Sequence, residues 1–256
     1  MRDGVASETA RRVAAQRLTF RRVATSYGDP AADDRLARDV ARSTRATTTT
    51  MTRYLQARTT FFDMAVVNAA DWGVEQIVVA AAGYDGRAWR YAKPGVHWYE
   101  VDHPDTQADK RARVTRLGLD TSHVSFVPAD FAATDVASEL RAAGFDATKP
   151  SMITLEGIAI YLAREVLASL LSSFRSLAVV GTRLAISLSI QRDGVRARLE
   201  HSAFRARVAA VGEPVKTVLP RDEVAPFLAD TGWRDTGVGS ERGRAAGLVV
   251  LEPVIA

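Results

Sequence analysis

The chain has 256 residues, of which 47% are hydrophobic and 25% charged, with a formal net charge of +4. This is an ordinary globular composition, long enough for one large domain or a domain with a cap. There is no cysteine, which excludes disulfides, thiolate metal sites and a cysteine nucleophile. No apolar run approaches the roughly 18 residues of a membrane span.

The four histidines, His97, His103, His123 and His201, form no H-x-x-x-H pair, so no metal site is expected. Only Lys93, Lys110, Lys149 and Lys216 among the 34 basic residues are lysines. The arginines are interleaved with acids, which reads as a solvated surface and not as a nucleic-acid footprint. The opening stretch MRDGVASETARRVAAQRLTFRR is Arg-rich and amphipathic. Asp3 and Glu8 speak against a transit peptide, and the stretch lacks the apolar core of a secretory signal. A folded helix of a cytoplasmic protein is the expectation.

In chain order, Ala6–Tyr27 reads as a helix with Val13, Ala14, Leu18 and Val23 near helical spacing, broken by Gly28-Asp29-Pro30. A short helix is expected over Asp33–Val40. After the threonines Thr47–Thr50, a helix running to Ala70 carries Phe61, Phe62, Ala65 and Val66 on one face. From Gly73 onward strands and helices alternate. Strands are expected at 76–82, 96–102, 124–128, 151–156 and 183–190, and helices at 105–117, 136–143 and 164–179. The apolar run at 76–82 has the look of a strand buried on both faces. This alternation implies a parallel sheet covered on both sides. The charged stretch Asp193–Val211, closed by Gly212-Glu213-Pro214, interrupts the rhythm as a helical insertion. A helix over 221–231 and strands at 233–239 and 247–253 follow, joined by a short polar link. That pattern predicts a hairpin and an antiparallel sheet edge.

Ligands of open α/β sheets sit beyond the carboxyl ends of the strands. Acids stand at four such ends: Asp85, Glu100 with Asp102, Asp130 and Glu156. The turn Ala81-Ala82-Gly83-Tyr84-Asp85-Gly86 is one substitution from G-x-G-x-x-G, and an acid one strand–helix–strand unit later suits ribose hydroxyls. A nicotinamide dinucleotide would use the same contact. A carboxylate at Asp85, however, would repel its pyrophosphate by several kcal/mol if partly desolvated (on the order of the Coulomb energy at short range). S-adenosylmethionine carries a sulfonium, an ammonium and one carboxylate, and no phosphate. An acidic turn suits the ammonium, and Arg58 or Arg87 offers the carboxylate a bidentate grip.

Ala57-Arg58-Thr59-Thr60-Phe61-Phe62-Asp63, the turn with Asp85-Gly86-Arg87-Ala88-Trp89-Arg90, Glu100-Val101-Asp102-His103-Pro104, Pro128-Ala129-Asp130 and Leu155-Glu156-Gly157-Ile158-Ala159-Ile160-Tyr161-Leu162 occur in this order. Together they resemble the leucine carboxyl methyltransferase family. The nearest resemblance is to its bacterial branch of S-adenosylmethionine-dependent enzymes, which includes polyketide carboxyl O-methyltransferases. It spans roughly Ser7 to Val254.

The resemblance implies a class I methyltransferase (Rossmann-like) α/β fold: a seven-stranded sheet with the last strand antiparallel, N-terminal helices and a helical insertion. The expected organisation is a single methyltransferase domain over 1–256, with a helical cap at 1–72 and the insertion at 191–219 over the active site. The resemblance also implies roles by position. Arg58 would hold the methionine carboxylate, and the backbone at Ala81 and Gly83 would approach the methionine part. Asp102, with Glu100, would bind ribose. Asp130 and Phe131 would hold adenine, and Glu156 would lie near the ammonium and the acceptor. Ala81 departs from the family, where many members have glycine, and its methyl narrows backbone access.

Methyl transfer from a sulfonium is an in-line displacement in which the protein chiefly aligns the reactants and excludes water. A carboxylate acceptor is already anionic and needs only an orienting cation, such as Arg192, Arg196, Arg198, Arg205 or Arg207 of the insertion. A hydroxyl acceptor would need a base, for which His201 is the candidate. Glu156, Tyr161 and His201 are the catalytic candidates. The reading favours O-methylation of a small-molecule carboxylate in secondary metabolism, with no nucleic acid or membrane partner; a homodimer is compatible with it. Two alternatives stay open. A nicotinamide oxidoreductase is disfavoured by Asp85 and by Tyr161, whose +4 position is Glu165 where a short-chain dehydrogenase has lysine. A non-catalytic adenosyl-binding protein would keep the fold without the acceptor pocket.

Overall fold

The computed structural model describes residues 7–42, 51–191 and 214–255. Three helices come first: α1 (Glu8–Arg17), α2 (Pro30–Ala41) and α3 (Met51–Asp71). The sheet elements follow as β1 (Gln76–Ala80), α4 (Arg87–Arg90), β2 (His97–Asp102), α5 (Pro104–Arg116), β3 (Val124–Pro128), α6 (Val136–Ala142), β4 (Met152–Leu155), α7 (Arg164–Arg175) and β5 (Arg183–Ser187). The chain closes with α8 (Val224–Asp230), β6 (Trp233–Asp235), α9 (Glu241–Ala245) and β7 (Leu248–Pro253).

The strands form one sheet in the order β3-β2-β1-β4-β5-β7-β6. The first five are parallel. β7 is antiparallel to both β5 and β6, so the last strand in sequence is inserted between its predecessors. The predicted hairpin is present, although its link carries α9 and is longer than a short polar turn.

All five residues of β1 are buried, as a strand covered on both faces requires. Alternate residues serve two cores. Val78 and Ala80 face α6 and α7 with Leu140, Leu171 and Phe174, while Ile77 and Val79 face α2 and α3 with Leu36, Phe62 and Val66. Phe62 and Val66 thus make α3 part of the sheet's helical layer and not only of a cap. The register sets Ala80 beside both Val101 and Leu155. The next residues in each chain direction, Ala81, Asp102 and Glu156, therefore stand together at one end of the sheet.

The helix expected over Ala6–Tyr27 stops at Arg17. Ser7 caps its start by accepting from the Ala10 amide at 3.1 Å. Beyond it, side chains of α3 and α2 take over the backbone and the charges. Gln56 bonds both the amide and the carbonyl of Arg21, at 3.1 and 2.9 Å. Arg22 donates to both oxygens of Asp63, at 2.7 and 2.9 Å, and to Asp33 at 3.0 Å. A buried bidentate pair outweighs weak helix propensity, whose differences are tenths of a kcal/mol per residue, of order 0.5. Gly28-Asp29-Pro30 proves to be a helix start as well as a break, with Asp29 capping α2 and Pro30 in its first turn.

The stretch expected as a helix over Asp193–Val211, the threonines Thr47–Thr50, His201 and the arginines Arg192, Arg196, Arg198, Arg205 and Arg207 lie outside the described residues. From Pro214 the described chain runs beside the loop after β4. Ile160 O accepts from the amides of Lys216 and Thr217 at 2.8 and 3.2 Å, and Thr217 Oγ1 donates to Leu162 O at 2.6 Å.

Candidate active site

The turn after β1 is held by its own backbone and by β2. Asp85 N donates to Ala82 O at 2.7 Å and Ala82 N to Val101 O at 3.2 Å. Ala81 has φ 56°, the only non-glycine residue with positive φ among the described residues, and Gly83 has φ 50°. Glycine takes this conformation freely; alanine does not. Gly83 N donates to Asp102 Oδ2, and His103 N donates to Asp102 Oδ1 at 2.6 Å. The half-buried Asp102 thus stands at the end of β2 directly against the turn. Burial raises its carboxyl from the ordinary value, opposed by these two amides.

Helix α1 roofs the turn. A Cβ placed on Gly83 would sit 3.0 Å from Ala10 Cβ. Arg17, at the end of α1, reaches Glu156 Oε2 at 3.1 Å and Asp85 Oδ2 at 3.3 Å. Arg58 Nε of α3 meets Glu156 Oε1 at 2.9 Å. Gly157, with φ 74°, gives Arg58 its room, since a Cβ there would lie 2.9 Å from Arg58 Nη1.

Arg87 is the centre of this cluster and is 1% exposed. It bonds Asp63 Oδ1 at 2.7 Å, Asp85 Oδ2 at 2.5 Å, Glu156 Oε2 at 2.6 Å and Thr59 O at 3.2 Å. Burial opposes the charge of Glu156, yet Arg87, Arg17 and Arg58 hold its carboxyl well below the usual range. Asp85 is likewise held low by Arg17 and Arg87 against its burial.

These contacts correct the charge reading of the turn. Asp85 does not present a free carboxylate to a ligand, because Arg87 and Arg17 neutralise it. Arg87 in turn is committed to three carboxylates and is not the open grip considered above. The case against a pyrophosphate takes a geometric form instead. Asp85 Oδ1 accepts from Arg87 N at 2.8 Å, so it occupies the amide at the start of α4 that a phosphate would use.

The other expected residues divide. Arg58, Ala81, Gly83, Asp85, Asp102 and Glu156 come together around the turn. Glu100 lies beneath it, 1% exposed and 2.5 Å from Lys110 Nζ. Asp130 is exposed at the end of β3, where Oδ1 accepts from Ala132 N at 3.0 Å, and Phe131 packs on the core beside it. Tyr161 stands in the short 3-10 turn Ala159–Tyr161 after β4. His201 lies outside the described residues. Arg17 is the functional candidate that motif reading missed. Its signal was the face Ala10, Ala14, Arg17 of α1: a charge on a stripe of small residues at helical spacing.

Arg17 and Arg58 bring donors in excess of acceptors. Among the described residues, Arg17 Nε is buried with no hydrogen-bond partner, and Arg58 is bonded through Nε alone, to Glu156. A carboxylate fits such a pair of forks. With Asp102 at the strand end against the turn, the residues present fit an S-adenosyl ligand. Among the described residues no group of three His, Cys, Asp or Glu side chains could hold a metal, and no helix is long and apolar enough to cross a membrane.

The sheet order, the inserted antiparallel strand and the acid against the first turn define a class I methyltransferase fold. The same fold is found in a DUF574 family protein from Streptomyces avermitilis MA-4680, with TM-score 0.61 and 16% identity over 97% of this chain and 98% of that one. It is found again in a protein from Thermobifida fusca YX, with TM-score 0.60, 16% identity and 99% and 97% coverage. The family described as leucine carboxyl methyltransferase matches residues 2–175, and the chain belongs to that family. Two relatives carry the name of S-adenosyl-L-methionine-dependent methyltransferases. The one from Mycobacterium avium (strain 104) is 33% identical over 70% of this chain. The one from Mycobacterium sp. (strain KMS) is 37% identical over 72%. The matches span 60% and 63% of the length of those relatives.

Proposed function

We propose that the protein is an S-adenosylmethionine-dependent O-methyltransferase acting on a carboxylate of a small molecule, in secondary metabolism. The observation that carries the cofactor reading is that, among the described residues, the buried Nε of Arg17 has no partner, beside an Arg58 bonded to Glu156 through Nε alone. Family membership and the names of the mycobacterial relatives support it.

When bound, S-adenosylmethionine supplies an electrophilic methyl group on a positively charged sulfur. Arg58 and Arg17 would hold its carboxylate, and Glu156, itself held by Arg17, Arg58 and Arg87, would lie near the ammonium. Asp102 would accept from the ribose hydroxyls, and Asp130 and Phe131 would hold adenine. Tyr161, with the 214–219 segment against Ile160 and Leu162, walls the acceptor side. A carboxylate acceptor arrives ionised, so these residues need only align it and exclude water; no proton has to be removed.

Calorimetric titration with S-adenosylmethionine and NAD tests the cofactor, and a methyl-donor consumption assay on matched carboxylic acids and phenols tests the acceptor. S-adenosylmethionine is expected to bind more tightly than NAD, and acids to turn over faster than phenols. Tighter NAD binding overturns the first claim, and faster phenol methylation overturns the second.

A further inference from the structure

Lys110 of α5 is 1% exposed, and no step of the proposed reaction uses it. A buried ammonium is costly unless its donors and charge are met. Here three elements meet it. Its Nζ donates to Asp85 O in the turn at 2.6 Å, lies 2.5 Å from Glu100 Oε2 on β2, and stands 5.4 Å from the centre of the Trp89 ring on α4. One helical turn earlier, Gln107 Nε2 donates to Glu100 O at 2.8 Å.

Asp85 is therefore pinned from two directions. Its carboxylate is held by Arg17 and Arg87, and its carbonyl by Lys110. We infer that Lys110 is a positioning residue, clamping the Asp85 carbonyl so that the 81–86 turn keeps the shape that receives the cofactor, with Glu100 as its buried counter-ion. The cofactor part of this inference rests on the function proposed above. Neither carboxylate oxygen of Glu100 has a hydrogen-bond partner among the described residues, and Lys110, 2.5 Å from Oε2, is its buried ion-pair partner.

The clamp has a built-in proton dependence. Glu100 faces Lys110 from α5, Asp85 from the turn and Asp102 from its own strand, and Asp85 is itself neutralised by Arg17 and Arg87. Burial pushes its carboxyl up to about 7, against the pull of Lys110. Ionised Glu100 holds Lys110; protonated Glu100 releases part of that hold. Cofactor binding should therefore tighten as pH rises through this range.

The test uses the full chain with Lys110→Met and Glu100→Gln. Amide exchange is read at Gly83, Asp85 and Arg87, and S-adenosylhomocysteine is titrated at about pH 6 and 8 (either side of the Glu100 value). In Lys110→Met the three amides should exchange at least about tenfold faster while β5 amides do not, and affinity should fall at least about tenfold, or 1.4 kcal/mol. Wild-type affinity should rise between the two pH values, and Glu100→Gln should flatten that rise. Wild-type exchange and affinity in Lys110→Met overturn the clamp. If Lys110→Met does not fold, an undiminished pH dependence in Glu100→Gln overturns it. A wild type that binds no S-adenosylhomocysteine, together with faster exchange in Lys110→Met, refutes the cofactor reading and leaves the clamp standing.

Discussion

Arg87 and Glu156, 69 positions apart in the chain, meet at 2.6 Å between Nη1 and Oε2, each side chain less than a tenth exposed. The contact joins the first crossover of the sheet to the end of its fourth strand. The same guanidinium holds Asp63 of α3 and Asp85 of the turn, and Arg17, Arg22 and Arg58 supply the remaining positive charge. Such a cluster fixes where the site's side chains stand, at the expense of desolvating every member.

Arg87→Met should show how much the fold depends on this arrangement. Methionine fills similar space but leaves three buried carboxylates short of a counter-ion. The loss should be about 3–5 kcal/mol, the scale for breaking a buried ion pair from one side. Urea unfolding followed by circular dichroism measures it. A loss under about 1 kcal/mol would mean that Arg17, Arg22 and Arg58 re-form the network without Arg87.

Ala81 carries the opposite kind of strain, in the backbone. Its φ of 56° disfavours an L-residue by about 1–2 kcal/mol. Glycine removes that penalty but adds unfolded-state freedom worth about 0.4–1 kcal/mol. Ala81→Gly should therefore be stabilising by about 0.5–1 kcal/mol, the difference between these effects. A destabilised Ala81→Gly protein would mean that the methyl contributes packing larger than the strain.

The strand ends were readable because periodicity and punctuation act locally. Gln76–Ala80 announces itself as apolar and the glycine turn follows at once, so Gly83, Asp102 and Glu156 could be placed at one end of a parallel sheet. What joins them could not be read. Arg17 looks like any helical surface arginine until α1 is laid over the turn. Asp85 looks like a free charge until Arg87, two residues on, turns back onto it. Pairing in space depends on the crossovers, and crossovers leave no trace in spacing. The early end of α1 has the same origin, since Asp63 and Gln56, which capture Arg22 and Arg21, lie on α3.

The charge network also shapes stability against pH. Burial opposes the ionisation of Asp63, but Arg87 and Arg22 hold it below its ordinary value, and Glu156 lies well below its own. Carboxyls depressed by folding contribute fully above their unfolded values near 4, and that contribution is lost as pH falls through their lowered folded values. Glu100 has the other sign. With its carboxyl moved from 4.5 up to about 7, its contribution is fully present below 4.5 and fades as pH rises to about 7. Chemical denaturation across the range should give a steep loss on the acid side and a shallow decline from about pH 5 to 7. Glu100→Gln should remove the part of the decline that extends to about pH 7 and keep the acid limb, while Asp102, also raised by burial, retains a share of its own. A decline still extending to about pH 7 after the substitution would assign it to another group.

Asp102→Ala removes the group proposed for the ribose and also the acceptor for Gly83 N and His103 N. Affinity for S-adenosylmethionine should fall by about 1–3 kcal/mol, the range for a hydrogen bond to a charged group. Asp102→Asn separates the two roles. It retains one acceptor for the backbone but loses the charge, so it should lie between wild type and alanine in calorimetry. Full affinity in a folded Asp102→Ala protein removes this residue from the binding site.

Gly157→Ala reaches Arg58 without touching its sequence position. The new methyl would lie 2.9 Å from Nη1 and 3.2 Å from Cζ, and φ 74° already disfavours alanine. Stability should fall by about 1–2 kcal/mol from the backbone, and S-adenosylmethionine affinity should fall because the displaced fork no longer receives the ligand carboxylate. Arg58→Ala gives the full loss of that grip for reference. Since both substitutions act on one contact, the double variant should bind no more weakly than Arg58→Ala alone, a non-additivity expected of residues that share a partner. Strictly additive losses would place the effect of Gly157 elsewhere in the site and break the link between the loop after β4 and the arginine on α3.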